Sequence, residues 1–187
     1  DLLERSIYRV KTPSGHPKKI LETPGKLGDM AISPNNERLA FLGATSYNDP
    51  LAQNIYVVPV KGGKASLLTP DFKESFVTVD WADDQTILAK SYRGTKTVLS
   101  TIDTKGKTPE GIANQTDVLS PGEILSSISF HKPSGKLVIT ASTHVHPNEL
   151  YVGSLGSKVI KRLTYTNKGF DEIDLAKQET ISWLGPD

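Results

Sequence analysis

Three observations predict that this sequence folds as an all-β chain of β-propeller blades. Short segments alternate between apolar and polar residues, turns rich in Gly, Asp and Asn separate them, and the whole pattern recurs at an interval of 49 residues. Alternation with period two marks half-buried strands. Repeats of about 40 to 50 residues that each hold several strands mark propeller blades. About three and a half blades, each a four-stranded antiparallel sheet, are expected from this pattern.

The repeats align on the last large apolar residue before the first turn of each unit. These are Ile32, Trp81 and Phe130, each 49 residues from the next. In the first strand of the middle unit, Val77, Val79 and Trp81 are expected on one face and Thr78 and Asp80 on the other. The second strands, Leu39-Ala40-Phe41-Leu42 and Ile87-Leu88-Ala89, are apolar on both faces. That suits a blade held between neighbouring blades. Third strands are expected over residues 54–60, 97–103 and 149–155. Turns follow at Lys61-Gly62-Gly63-Lys64, Thr104-Lys105-Gly106-Lys107 and Gly156-Ser157. Short fourth strands are expected at Leu68-Thr69 and Leu163-Thr164. The middle unit's fourth strand is weaker, over 109–113, because proline cannot donate to a ladder.

This places blades at 28–75, 76–123 and 124–165. Residues 1–27 read as the back half of a preceding blade: a third strand, a Gly turn and a fourth strand without the front pair. Residues 166–187 form an exit segment outside the repeat, with a strand expected over 177–183 and a helical turn or short strand over 170–176. Three and a half blades are too few for a seven- or eight-bladed ring. The chain is therefore expected to be a fragment of one. The alternative is a small closed ring of four, in which residues 1–22 and 178–183 complete one blade.

The formal net charge is +1 and the lysines are dispersed, which argues against nucleic acid as a partner. No apolar run is long enough to span a bilayer, so no membrane partner is expected. The absence of cysteine excludes disulfides, thiol catalysis and cysteine-ligated metal, and leaves the compartment open between cytoplasm and periplasm or secretion. Asp1 reads as a cleavage site or an artificial boundary.

No catalytic residue is expected. The nearest approach to a G-x-S-x-G nucleophile elbow is Val152-Gly153-Ser154-Leu155-Gly156, which has Val in the first position and lies in a strand. His144-Val145-His146 with Glu149 is a weak metal pair, in which both histidines would point the same way if extended. Solvated loop histidines are the simpler reading. Asp83-Asp84 sits where a turn belongs and is read as turn chemistry. Gly62-Gly63 is read as a positive-φ hairpin turn rather than a phosphate cradle. No metal or cofactor is expected. The loops between second and third strands, 45–53, 92–96 and 143–148, should share one face of the propeller and carry its contacts. They contain Tyr47, Asn48, Tyr92, Arg93, His144 and His146, with Arg93 the expected carboxylate contact.

Ile32-Ser33-Pro34-Asn35-Asn36-Glu37-Arg38-Leu39-Ala40-Phe41 resembles the S-P-D-G-x-x-I-A-F element of TolB-like and prolyl oligopeptidase-type propellers, with Asn35-Asn36 in place of Asp-Gly. Asn54-Ile55-Tyr56-Val57, Gly62-Gly63 and Leu67-Leu68-Thr69 resemble the rest of such a blade, which also has the look of a WD repeat. The stretch from Leu163-Thr164 through Asp174-Leu175-Ala176-Lys177 to Trp183 resembles the propeller exit of acylaminoacyl- and dipeptidyl-peptidases. There the chain passes into an α/β-hydrolase domain. This resemblance implies a serine peptidase as the parent protein, with its triad in a hydrolase domain absent from this chain. The propeller would admit short peptides to that domain. The expected partners are the hydrolase domain of the same polypeptide, short peptide substrates, and a second copy if the protein oligomerises. The competing expectation is a stand-alone TolB-like or WD-like scaffold that binds proteins.

Overall fold

The computed structural model describes residues 3–48, 51–70, 72–105, 115–117, 124–155, 157, 160–176 and 178–184. The described chain is all-β. Strands β1 (Ser6–Arg9) and β2 (Lys18–Glu22) form a two-stranded sheet. Strands β3 (Leu27–Ile32), β4 (Arg38–Gly43), β5 (Asn54–Pro59) and β6 (Ser66–Leu67) form a four-stranded sheet in chain order. A second consists of β7 (Ser75–Trp81), β8 (Thr86–Arg93), β9 (Lys96–Asp103) and β10 (Gln115–Asp117). A third consists of β11 (Ile124–His131), β12 (Lys136–Thr143), β13 (His146–Ser154) and β14 (Lys161–Arg162). All pairings are antiparallel. These are propeller blades, and the N-terminal sheet has two strands among the described residues. The chain divides into two compact units, the first built on β1 to β10 and the second on β11 to β14.

In the first unit each blade buries both faces of its second strand. Leu39, Phe41 and Val58 pack against Ile7 of the two-stranded sheet, with Ile20 and Leu21 at the margin. On the opposite face, Ala40, Leu42, Ile55 and Val57 pack against Phe76, Val79, Trp81, Ile87, Ala89 and Ile102 of the next sheet. Burying aliphatic and aromatic side chains of this size contributes about 1.5–3 kcal/mol each before entropic costs.

The first strand departs from simple alternation. The register slips by one residue between Phe76 and Thr78 in β7, and at the equivalent places between Leu27 and Met30 in β3 and between Leu125 and Ser127 in β11. Such a bulge sets two residues against one and turns the strand. Phe76 thereby takes the inward position expected for Val77. Phe76, Val79 and Trp81 are buried, whereas Val77 is only half-buried. Leu27, Phe76 and Leu125 are spaced by the same 49 residues as the rest of the repeat.

The turns follow local chemistry. Asn36 has φ +60° and Gly135 has φ +63°, the left-handed conformation that the usual Asp-Gly turn requires. Asn36 thus fills the glycine place with the one side-chain class that tolerates it. Asp83 Oδ1 accepts the backbone N–H groups of Gln85 and Thr86, both at 2.7 Å. Gly62 and Gly63 have φ +95° and +129° in the hairpin between β5 and β6.

Three expectations shift. The fourth strands fall at Ser66–Leu67 and Lys161–Arg162, so the Leu-Thr pairs follow them. In the middle blade β10 lies at Gln115–Asp117, and the expected strand over 109–113 lies outside the described residues. Residues 178–184 carry no strand hydrogen bonds, and Lys168–Glu172 is a short 3₁₀ helix. The 178–184 stretch alternates as a strand should, but it has no partner strand among the described residues to pair with.

Candidate functional site

The site residues expected from the sequence all lie at the hairpins between second and third strands. Tyr47 and Asn48 sit in the long connection between β4 and β5, and both are exposed. Tyr47 helps line a cleft of about 290 Å³ with Glu4, Arg5, Ser6, Glu22 and Thr23. Tyr92 and Arg93 end β8, before a tight turn in which Gly94 has φ +58°. Tyr92 is exposed. Arg93 is not a free anion contact: its Nε donates to Glu74, a buried carboxylate that also accepts Ser91 Oγ at 2.6 Å. Glu74 was not among the residues singled out from the sequence. Only the fold brings it within reach of Arg93, 19 residues later.

The two histidines of the β12–β13 hairpin part company. His144 occupies the two-residue turn and is exposed, while His146 is already in β13, paired with Thr143. His144 lines a cleft of about 490 Å³ together with Ile124 and residues 178–181. His146 is half-buried. Its Nε2 lies 2.8 Å from Arg162 Nη2, its Nδ1 lies 2.9 Å from the Pro147 carbonyl, and its ring stands 6.4 Å from that of Phe170. A tight turn reverses the strand between the two histidines, so the extended geometry that would align them does not arise. No group of three His, Asp or Glu residues suited to a metal ion occurs among the described residues. Ser154 ends β13 and is exposed, in a strand context rather than a strand-to-helix elbow.

The densest polar cluster centres on Glu149. Its carboxylate accepts Arg162 Nη2 at 3.1 Å, the Thr166 N–H at 2.8 Å and the Asn167 N–H at 3.1 Å. Thr164 Oγ1, Thr166 Oγ1 and Asn167 Nδ2 also donate to it. Arg162 further donates Nε to the Thr164 carbonyl and lies over the Tyr165 ring, 4.4 Å from its centroid. Desolvation pushes the Glu149 carboxyl up, but the hydrogen bonds from Thr164, Asn167 and Arg162 outweigh it and hold the pKa at about 2. The carboxylate therefore stays charged and clamps the exit segment to β13.

A sequence signal for this clamp exists. Ile55 N–H bonds to Thr69 Oγ1 and Leu150 N–H bonds to Thr164 Oγ1, both at 2.9 Å and both across 14 residues. The Leu-Thr pair is thus a repeated lock between third strand and blade end. Asn54 stands in the first blade where Glu149 stands in the third, and it accepts Thr69 Oγ1 at 3.2 Å.

With this geometry in place, comparison with known proteins decides the fold. No protein-family model and no curated protein matches the chain. Solved structures do. The putative TolB of Agrobacterium tumefaciens superposes with a TM-score of 0.66 at 16% identity, over 85% of this chain and 55% of that one. The fold is a β-propeller. A puromycin-hydrolyzing peptidase of Mycobacterium tuberculosis matches with a TM-score of 0.64 at 13% identity, over 80% of this chain and 23% of that one. An acylaminoacyl peptidase of Pyrococcus horikoshii matches with 0.59 at 19% identity, over 87% and 28%. The propeller chain thus spans about half the length of the first of these structures and about a quarter of the two peptidases. At these identities the likeness is one of fold. No helix among the described residues is long and apolar enough to cross a membrane.

Proposed function

We propose that this chain is the non-catalytic propeller region of a serine peptidase of the acylaminoacyl- or dipeptidyl-peptidase type. It gates the access of short peptides to a hydrolase domain outside the sequence. The observation that carries this reading is the exit segment. Glu149 fastens residues 164–167 to the last sheet. Beyond them the chain presents Ile181, Trp183 and Leu184 to solvent, at 74, 79 and 99% exposure. Apolar side chains this exposed in a row mark surface that another body covers. An adjoining domain of the same polypeptide supplies one. The fold likeness to two peptidases points the same way.

In this reading the exposed hairpin residues Tyr47, Asn48, Tyr92 and His144 meet the hydrolase domain or the peptide. Arg93 would meet an incoming carboxylate with its Nε already bonded to Glu74.

A second reading has its own support. The TolB structures of Agrobacterium tumefaciens and Acinetobacter baumannii match with TM-scores of 0.66 and 0.64. They favour a TolB-like scaffold that binds proteins. Reading the source gene past Asp187 separates the two. A following domain with a G-x-S-x-G elbow, and hydrolysis of short but not long peptides by the gene product, is the expected result. Further blades or a stop codon in place of that domain would sink the peptidase reading.

A further inference from the structure

Lysines that are dispersed along the sequence are gathered by the fold. Three connections meet at one end of the first two sheets: β1 to β2 over 10–17, β3 to β4 over 33–37 and β5 to β6 over 60–65. Arg9 Nη1 donates to the Val60 carbonyl at 3.5 Å, and the Val60 N–H donates to the Glu37 carbonyl at 2.9 Å. Gly62 lies so near β2 that a Cβ on it would stand 3.2 Å from the Ile20 carbonyl. Between these connections is a cleft of about 450 Å³, lined by Arg9, residues 36–38 and residues 59–61. Arg9, Lys11, Lys18, Lys61 and Lys64 are all exposed, and Lys18 is paired with Arg9 in register. None of the five forms an ion pair among the described residues. Arg38 also lines the cleft, but its guanidinium is turned to Trp81, Thr104 and the Asp84 carbonyl. Glu37 is the one carboxylate in the three connections. At the other end of the same sheets, Arg5 and Lys26 are matched by Glu4 and Glu22. In the β7–β8 turn, Asp83 and Asp84 are engaged with the backbone N–H groups of Gln85, Thr86 and Asn35.

We propose that this cleft is a binding site for a small multivalent phosphate anion of the polyphosphate class, contacted by Arg9 and Lys61. Lys11, Lys18 and Lys64 add charge from the same two connections. Unpaired charges of one sign around a concave surface focus the field there and raise the local concentration of counter-anions. A guanidinium presents a planar fork of donors that suits phosphate oxygens, and an ammonium adds a compact charge beside it. The cleft is of small-ligand size. No aromatic side chain lines it for a base to stack on, which disfavours nucleic acid. The turn residues Asn36, Gly62 and Gly63 carry nothing apolar to insert into a bilayer, which disfavours a lipid surface. The site lies at the opposite end of these sheets from Tyr47 and Asn48, so it stands whether or not a peptidase domain follows.

Isothermal titration of the complete gene product with sodium tripolyphosphate tests the site, with citrate, a DNA duplex and phosphatidylserine vesicles as comparison anions. Arg9→Ala and Lys61→Ala should each weaken tripolyphosphate binding about tenfold or more, the loss expected for one charge-assisted hydrogen bond. Glu37→Gln should tighten it, because the variant removes the one carboxylate that lines the cleft. Lys96→Ala takes the same charge from the exposed β8–β9 hairpin and should change affinity less than about twofold. Absence of binding overturns the proposal. So does equal weakening by Lys61→Ala and Lys96→Ala, which reduces the effect to net charge. Citrate bound as tightly assigns the cleft to carboxylates and overturns it. A duplex or vesicle whose binding these variants weaken, and which tripolyphosphate does not displace, assigns the cations to a macromolecular surface and overturns it too. Glu37→Gln reads the site with the opposite sign if Arg9→Ala fails to fold.

Discussion

The indole N–H of Trp81 donates to the carbonyl of Ala31, 2.9 Å away and 50 residues earlier in the chain. Two other bonds run at nearly the same interval: Val79 N–H to Asp29 Oδ2 at 3.0 Å and Asn35 N–H to Asp84 Oδ1 at 2.8 Å. The β3–β6 and β7–β10 sheets are thus joined along their first strands and turns at about one repeat's offset. Arg38 completes the joint, lying 4.9 Å from the Trp81 ring centroid and donating to Thr104 Oγ1 at 3.1 Å.

Replacing Trp81 tests this joint. Trp81→Ala should cost about 3–5 kcal/mol by leaving a cavity between two blades. Trp81→Phe keeps most of the apolar volume but strands the Ala31 carbonyl, and should cost about 1–3 kcal/mol. Urea unfolding of both variants checks the order; a Trp81→Phe variant as stable as wild-type would show that the hydrogen bond contributes nothing.

Glu149 makes stability depend on pH. Its carboxyl titrates at about 2 in the folded chain against an ordinary 4.5. A lowered folded pKa contributes stability that is complete above the unfolded value and is lost as pH falls through the folded one. Between roughly pH 4.5 and 2 the wild-type should therefore lose stability that Glu149→Gln does not lose. Thermal melts across that window should show the variant's acid limb flattened, with the two proteins furthest apart at neutral pH.

Arg93 is bound to a buried partner, and that fixes what its removal does first. Arg93→Ala leaves the Glu74 carboxylate, 7% exposed, with one donor fewer. The loss should be about 1 kcal/mol, at the low end for a charged hydrogen bond because the Arg93 side chain is 40% exposed. Denaturant titration measures it. A raised KM for short peptides with no change in stability would assign Arg93 to the substrate instead.

Two of the left-handed turn positions, Gly135 and Asn36, should respond in opposite directions. Gly135→Ala meets no atom within 4 Å of the new Cβ, so its cost is backbone strain of about 1 kcal/mol. Asn36→Gly relieves the milder strain of Asn at φ +60° and should add up to about 0.5 kcal/mol. Chemical denaturation of each variant reads both signs.

The sequence alone determined the blade repeat, the strand order and the turn chemistry, because these are local. Alternation, a fixed spacing and Gly, Asn or Asp at turns are written within a few residues of where they act. Gly62-Gly63 and Asp83 behave as their residue types dictate. Tertiary structure decided what depends on partners far away in the chain. One extra residue in β7 puts Phe76 rather than Val77 in the core, since hydrogen-bond register with β8 selects the inward face. Glu149 becomes a clamp because the blade's last strand returns Arg162, Thr164, Thr166 and Asn167 to it. Arg93 meets Glu74, and His146 meets Arg162 while His144 stays in solvent. A side chain's composition states which bonds it can make; only the packed sheet states which partner arrives.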